Sequence, residues 1–155
     1  MTTIVYDHKR GQIACDSRLT KGSMITTDGA QKWMKTENGI IFMAGCRADF
    51  EMLSALTVNY SHGDVVETEF ELQCEGILVK DDHVYLISIQ DGGQFWMEPL
   101  DEAVAATGSG SEWAIAAIDH GKTAKQAVEY AATRDIYTGG KVRVYDIKKG
   151  KFING

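Results

Sequence analysis

Thr2-Thr3-Ile4-Val5-Tyr6-Asp7-His8-Lys9-Arg10-Gly11-Gln12-Ile13-Ala14-Cys15-Asp16-Ser17-Arg18 has the pattern of a β-hairpin with chemistry at both ends. Thr3–Tyr6 and Gln12–Asp16 are short β-prone runs, and His8-Lys9-Arg10-Gly11 between them has the polar, glycine-ended composition of a turn. The hairpin starts at a threonine and its second strand closes on an aspartate. If Met1 is removed, Thr2 carries a hydroxyl nucleophile and a free α-amine that can act as its base. An unperturbed α-amino group titrates at about 7.7–8.0, close to working pH, which suits a base. A Met-Thr start equally suits an ordinary first strand, so the residues beyond the hairpin must decide between the two.

Outward from the hairpin, Met24–Thr27 and Ala30–Lys35 are strand candidates. The turn Glu37-Asn38-Gly39 leads into Ile40–Ala44, an apolar run of the kind buried on both faces. From Arg47 the period changes: Ala48, Met52, Leu53, Ala55 and Leu56 form a helical stripe ending near Tyr60. Glu71–Lys80 and His83–Gln90 predict a second hairpin across Asp81-Asp82, followed by strands at Gln94–Met97 and Ala103–Thr107. One helix comes after Gly108-Ser109-Gly110-Ser111. Another starts at a Thr123 N-cap, with Ala124, Ala127, Val128, Ala131 and Ala132 on one face. Lys141–Ile147 is the last predicted strand. This order implies helices segregated onto antiparallel sheets, an α+β fold, in a single domain over residues 1–155.

The bulk composition narrows the function classes. A net charge of −6 with no basic stripe argues against a nucleic-acid binder, and Lys148, Lys149 and Lys151 read as a solvated tail. Cys15, Cys46 and Cys74 are too few and too scattered for a disulfide framework or a CxxC metal site. With no secretory apolar segment and no long apolar run, the chain is expected to be soluble and cytoplasmic, with no membrane partner.

Beside Thr2, six residues stand out: Asp16, Lys32, Gly45, Ser109, Asp135 and Thr138. Each has an ordinary reading as well. Asp16 can end a strand, Lys32 can be a surface lysine, and Gly45 can end Ile40–Ala44. Ser109 can be a turn residue, and Arg134-Asp135-Ile136-Tyr137-Thr138-Gly139-Gly140 can be a plain helix exit.

The ordered set of Thr2-Thr3-Ile4-Val5, Asp16-Ser17-Arg18, Gly22-Ser23, Lys32, Met43-Ala44-Gly45 with Ala48-Asp49, Gly108-Ser109-Gly110 and Arg134 to Gly140 resembles the proteasome β-subunit and HslV-type protease subunits. These are N-terminal nucleophile hydrolases. The resemblance spans almost the whole chain and implies a four-layer αββα sandwich of two antiparallel sheets flanked by helices. It implies a threonine-type endopeptidase in which Thr2 attacks, Lys32 sits beside the amine, Asp16 holds Lys32, and the Gly45 amide donates to the oxyanion. Ser109, Asp135 and Thr138 match the supporting polar network. Leu19, Ala30, Met43 and Arg47 match the substrate pocket, although Met43 suits strand core equally well.

No cofactor is required on this reading. The family's backbone-carbonyl cation site corresponds to Ala132, Asp135 and Thr138, which allows a structural monovalent or divalent cation. The implied partners are unfolded polypeptides, further copies in a homo-oligomeric ring, and an ATP-dependent unfoldase. The short polar stretch Tyr60–Gln73 predicts that the second of the family's two helices there is reduced or absent, which puts stacking of rings in doubt. A non-catalytic assembly or binding protein of the same fold is the alternative reading.

Overall fold

Strand β1 (Ile4–Asp7) is buried at all four positions, the mark of a central strand, and even Asp7 is buried and paired with Arg10 at 3.0 Å across the turn. The computed structural model describes residues 2–37, 39–67 and 72–154. They form two compact units, Met1–Lys32 with Asp101–Gly155 and Trp33–Leu100.

The first unit is built on an antiparallel sheet in the order β10 (Val104–Thr107), β1, β2 (Gln12–Cys15), β11 (Arg143–Asp146), β12 (Lys151–Ile153). Helices α2 (Ser111–Asp119) and α3 (Ala124–Ala132) pack on it through Ala114, Ala117, Ala124, Ala127, Val128 and Ala131, against Val5, Ala14 and Val144. Alanine along this face lets the helices approach the sheet closely. The start of α3 is as its sequence predicts: the Thr123 hydroxyl accepts from the Gln126 amide at 3.2 Å, and the Gln126 side chain accepts from the Thr123 amide at 3.0 Å. A separate ribbon, β3 (Leu19–Lys21) with β4 (Met24–Thr27), extends from the end of β2.

The second unit is a five-stranded antiparallel sheet with sequential order: β5 (Trp33–Thr36), β6 (Gly39–Gly45), β7 (Cys74–Lys80), β8 (His83–Gln90), β9 (Gln94–Pro99). Helix α1 (Phe50–Asn59) covers it with Phe50, Leu53 and Leu56, packed with Ile41, Met43, Leu78, Ile87 and Phe95. The β7–β8 turn places Asp81 and Asp82 at φ 51° and 63°, the twist a two-residue hairpin needs.

Three expectations are corrected. Ala30–Lys35 is not one strand: β5 begins at Trp33, because the Ala30 amide donates to the Ser17 carbonyl at 2.9 Å and not to a sheet neighbour. Lys151 is not tail: it opens β12, whose Phe152 lies against Tyr145 with ring centroids 5.3 Å apart. The strand expected from Glu71 begins at Cys74. Between residues 60 and 73 the described residues form no helix, in line with the reduced segment expected there; residues 68–71, and Asn38 of the predicted turn, lie outside the described residues. No helix among the described residues is long and apolar enough to cross a membrane.

Candidate active site

Two glycines make the room in which Thr2 and Thr3 sit. A Cβ on Gly108 would fall 1.8 Å from the Thr2 carbonyl oxygen, and one on Gly110 would fall 2.0 Å from Thr3 Oγ1. Gly108 also has φ +97°, a left-handed conformation that other residues resist. The Gly108-Ser109-Gly110 loop continues from β10, which pairs with β1, so the start of β1 is pressed against it.

Asp16 comes directly after β2, and Lys32 ends a loop that leaves the ribbon. Their side chains meet at Thr2: Lys32 Nζ donates to Thr2 Oγ1 at 2.7 Å and to Asp16 Oδ1 at 2.9 Å. All three are enclosed, with Thr2 at 3%, Lys32 at 2% and Asp16 at 0% exposure. Asp16 accepts four hydrogen bonds. Oδ1 takes the Thr3 amide at 3.1 Å and Lys32, while Oδ2 takes the amides of Arg18 at 3.2 Å and Gly139 at 3.0 Å. A buried ammonium is tolerated only with such a partner, because desolvation of an isolated charge costs several kcal/mol. Cys15, next in sequence, is fully buried; burial first, and then the Asp16 charge, push its thiol up to about 12, so it stays protonated.

On the other side, Asp135 Oδ2 accepts the hydroxyls of Ser109 at 2.5 Å and Thr138 at 2.6 Å, and Oδ1 accepts the Tyr137 amide at 3.1 Å. Asp135 lies three residues beyond α3, its amide still bonded to the Ala131 carbonyl at 2.8 Å, so the end of the helix sets its position. The first unit therefore brings together Thr2, Asp16, Lys32, Ser109, Asp135 and Thr138.

No family model matches the chain. The ATP-dependent protease subunit HslV of Campylobacter lari is 27% identical over an alignment of 179 positions covering 97% of each chain. Proteasome subunit beta type-8 of Rattus norvegicus is 25% identical, over 98% of this chain and 67% of its own. The crystal structure of eukaryotic HslV from Trypanosoma brucei superposes with a TM-score of 0.70 at 20% identity, covering 92% of this chain and 97% of that one. Over nearly its whole length the chain is similar to HslV and proteasome β-subunits, and it has the fold of the HslV structure.

The remaining sequence-selected residues are divided between the two units. Leu19 opens β3, and Ala30 lies in the loop before Lys32; both are half-buried in the first unit. Met43, Gly45 and Arg47 belong to the second unit. Met43 has no accessible surface and packs in that unit's core, which is the alternative its sequence left open. Gly45 ends β6 at φ +115°, and a Cβ there would meet the Gln73 carbonyl oxygen at 2.3 Å, so glycine is required. Arg47 is exposed at the start of a 3-10 turn.

Two features had no role in the sequence reading. Arg18 forms a bidentate pair with Asp28 at 2.8 and 3.1 Å and also donates to the Ile136 carbonyl at 3.1 Å, which ties the ribbon to the loop after α3. That hydrogen bond to Asp28 lowers the Asp28 carboxyl and raises the Arg18 guanidinium relative to their ordinary values. Thr3 is the other. Its hydroxyl lies 2.6 Å from that of Thr138, a contact no spacing rule reveals.

Ala132, Asp135 and Thr138 lie along one loop. Within it the Asp135 carbonyl already accepts the Thr138 amide at 3.1 Å, and the Arg18 guanidinium occupies the adjacent Ile136 carbonyl. Carbonyl oxygens suit a hard cation, but these observations do not converge on one. Among the described residues, no group of three or more His, Cys, Asp or Glu side chains could hold a metal.

Proposed function

We propose that the chain is a threonine-type endopeptidase whose nucleophile is Thr2, exposed by removal of Met1. The observation that carries this reading is the pair of bonds from one buried ammonium, Lys32 Nζ to Thr2 Oγ1 at 2.7 Å and to Asp16 Oδ1 at 2.9 Å. A lysine donating to a threonine hydroxyl uses one of the hydroxyl's lone pairs and not its hydrogen. In the processed protein the acceptor of that hydrogen is the α-amine of the same residue. Lys32 supports that role electrostatically, because a neighbouring positive charge disfavours protonation of the amine and keeps it neutral, with its lone pair available.

Oγ1 then attacks a peptide carbonyl while its proton passes to the amine, directly or through a water. The amine hands the proton to the leaving nitrogen, and the ester left on Thr2 is hydrolysed by water. Gly45 is assigned the oxyanion-donating amide, and Leu19, Ala30, Met43 and Arg47 the substrate pocket, on the strength of the resemblance. No cofactor enters these steps. A cation on the carbonyls of Ala132, Asp135 and Thr138 would serve structure alone.

The relatives are described as subunits of an ATP-dependent protease and of the proteasome. On that footing the working form is a cytoplasmic homo-oligomeric ring that admits unfolded polypeptides and is fed by an ATP-dependent unfoldase. The test is an intact mass of the native protein before and after a peptide epoxyketone. Loss of methionine and one covalent adduct, absent in Thr2→Ala, is the expected result. Retained methionine with no adduct would overturn the proposal in favour of a non-catalytic assembly protein.

A further inference from the structure

The two polar arms beside Thr2 are joined by a residue that the proposed mechanism leaves unused. Thr3 has no accessible surface. Its amide donates to Asp16 Oδ1 at 3.1 Å, on the Lys32 side, and its hydroxyl lies 2.6 Å from Thr138 Oγ1, on the Asp135 side.

The direction of the second bond comes from counting hydrogens. A hydroxyl has one hydrogen to donate, and an ionised carboxylate only accepts. Thr138 donates to Asp135 Oδ2 at 2.6 Å, so its hydrogen is already committed. The hydrogen between the two threonines therefore belongs to Thr3, and the chain runs Thr3 to Thr138 to Asp135. Ser109 ends on the same Oδ2 at 2.5 Å, so its hydrogen is committed too, leaving only lone pairs on Ser109 Oγ.

Packing alone does not explain a threonine here. Gly110 leaves space for Thr3 Oγ1 by lacking a Cβ, which would fall 2.0 Å from that oxygen and 3.0 Å from Thr138 Oγ1. Valine has the same shape as threonine but would place a methyl group where the relay needs a donor.

We propose that Thr3 is a positioning residue for the threonine-peptidase site: its hydroxyl orients Thr138, Asp135 and Ser109 while its amide orients Asp16. This rests on the function proposed above. Hydrogen bonds in such a chain polarise one another, so loss of the first donor weakens the next bond to Asp135. The carboxylate is then less neutralised, a protonated amine nearby is favoured, and the base is titrated away at higher pH.

The experiment uses the full chain, processed and assembled, with Thr3→Val, Thr3→Ser, Thr138→Val and the Thr3→Val/Thr138→Val double variant. Readouts are kcat and KM on an unfolded peptide, the pH profile of kcat/KM, and thermal melting. Thr3→Val is expected to lower kcat about tenfold, the equivalent of one buried hydrogen bond, with KM near the parent value. Its acid limb is expected to move to higher pH. Thr3→Ser is expected to recover most of kcat and the parent profile, and the double variant to lose little more than Thr138→Val.

Parent-like kcat and pH profile in Thr3→Val would overturn the proposal. Equal loss in Thr3→Ser, or strict additivity in the double variant, would do the same. If Thr3→Val does not fold, Thr3→Cys, which keeps a side chain of similar size with only a weak donor, is judged by the same criteria. The unsubstituted chain separates the two hypotheses. Without an epoxyketone adduct on Thr2 the peptidase reading fails and the relay with it; with an adduct and indifferent Thr3 variants, the relay alone fails.

Discussion

Asp16→Asn changes one oxygen into an amino group at constant volume, at a site where all four partners are donors. Oδ1 faces the Thr3 amide and Lys32 Nζ; Oδ2 faces the amides of Arg18 and Gly139. Whichever way the new amide turns, its NH2 meets two N–H groups, so two hydrogen bonds are lost and replaced by opposed donors. Lys32, at 2% exposure, also loses its counter-charge. Removing one partner of a buried ion pair costs about 3–5 kcal/mol, a large part of the roughly 5–15 kcal/mol that stabilises a domain. At about 2–4 °C per kcal/mol for a chain of this size, the melting temperature should fall by about 6–20 °C. The assay is a thermal melt followed by circular dichroism, run on the parent, Asp16→Asn, Lys32→Met and the double variant. Because Lys32→Met removes the stranded charge, the double variant should melt above Asp16→Asn. Melting of Asp16→Asn within about 2 °C of the parent, or a double variant no more stable than Asp16→Asn, would refute the reasoning.

Gly45→Ala should destabilise the second unit by well over about 1 kcal/mol, since the methyl group would meet the Gln73 carbonyl oxygen at 2.3 Å in a positive-φ conformation; an unchanged urea midpoint would count against it. Alkylation of the native protein with iodoacetamide near neutral pH, read by intact mass, should modify exposed Cys46 alone; buried Cys15 and Cys74, both pushed up to about 12, should react only in denaturant. The same raised thiols carry a pH dependence. Their protonated forms are favoured in the folded state, so that contribution is complete below the ordinary thiol value of 9.0 and is lost as pH rises towards about 12. Melting temperature should therefore drop between these limits, and a Cys15→Ala variant should drop less steeply; identical slopes would argue against the assignment.

The α+β class and most of its elements were legible because they depend on local signals. Met24–Thr27 and His83–Gln90 are strands over the ranges their β-prone composition and flanking turns predict. Helix α3 starts where Thr123 and Gln126 form a capping box, a signal contained within four residues. The misreadings lie where a backbone group finds a partner that composition does not signal. Ala30 is drawn from a strand by the Ser17 carbonyl, and Lys151 is drawn into one by a hairpin with Asp146.

For the candidate site, the sequence by itself determined which residue types were present and in what order: a threonine after Met1, an aspartate closing β2, a lysine before β5, and a Gly-Ser-Gly loop before α2. Only the tertiary structure decided which of them touch. Asp16 meets the amide of Gly139, 123 residues away, and Thr3 meets Thr138 across 135. Those contacts arise because β11, which follows Gly139, pairs with β2, and β2 pairs with β1, so the segment before β11 arrives beside the start of β1. Periodicity cannot report such contacts, because helix and strand patterns describe neighbours within a few residues, while a buried polar network is closed by whichever donors the fold delivers.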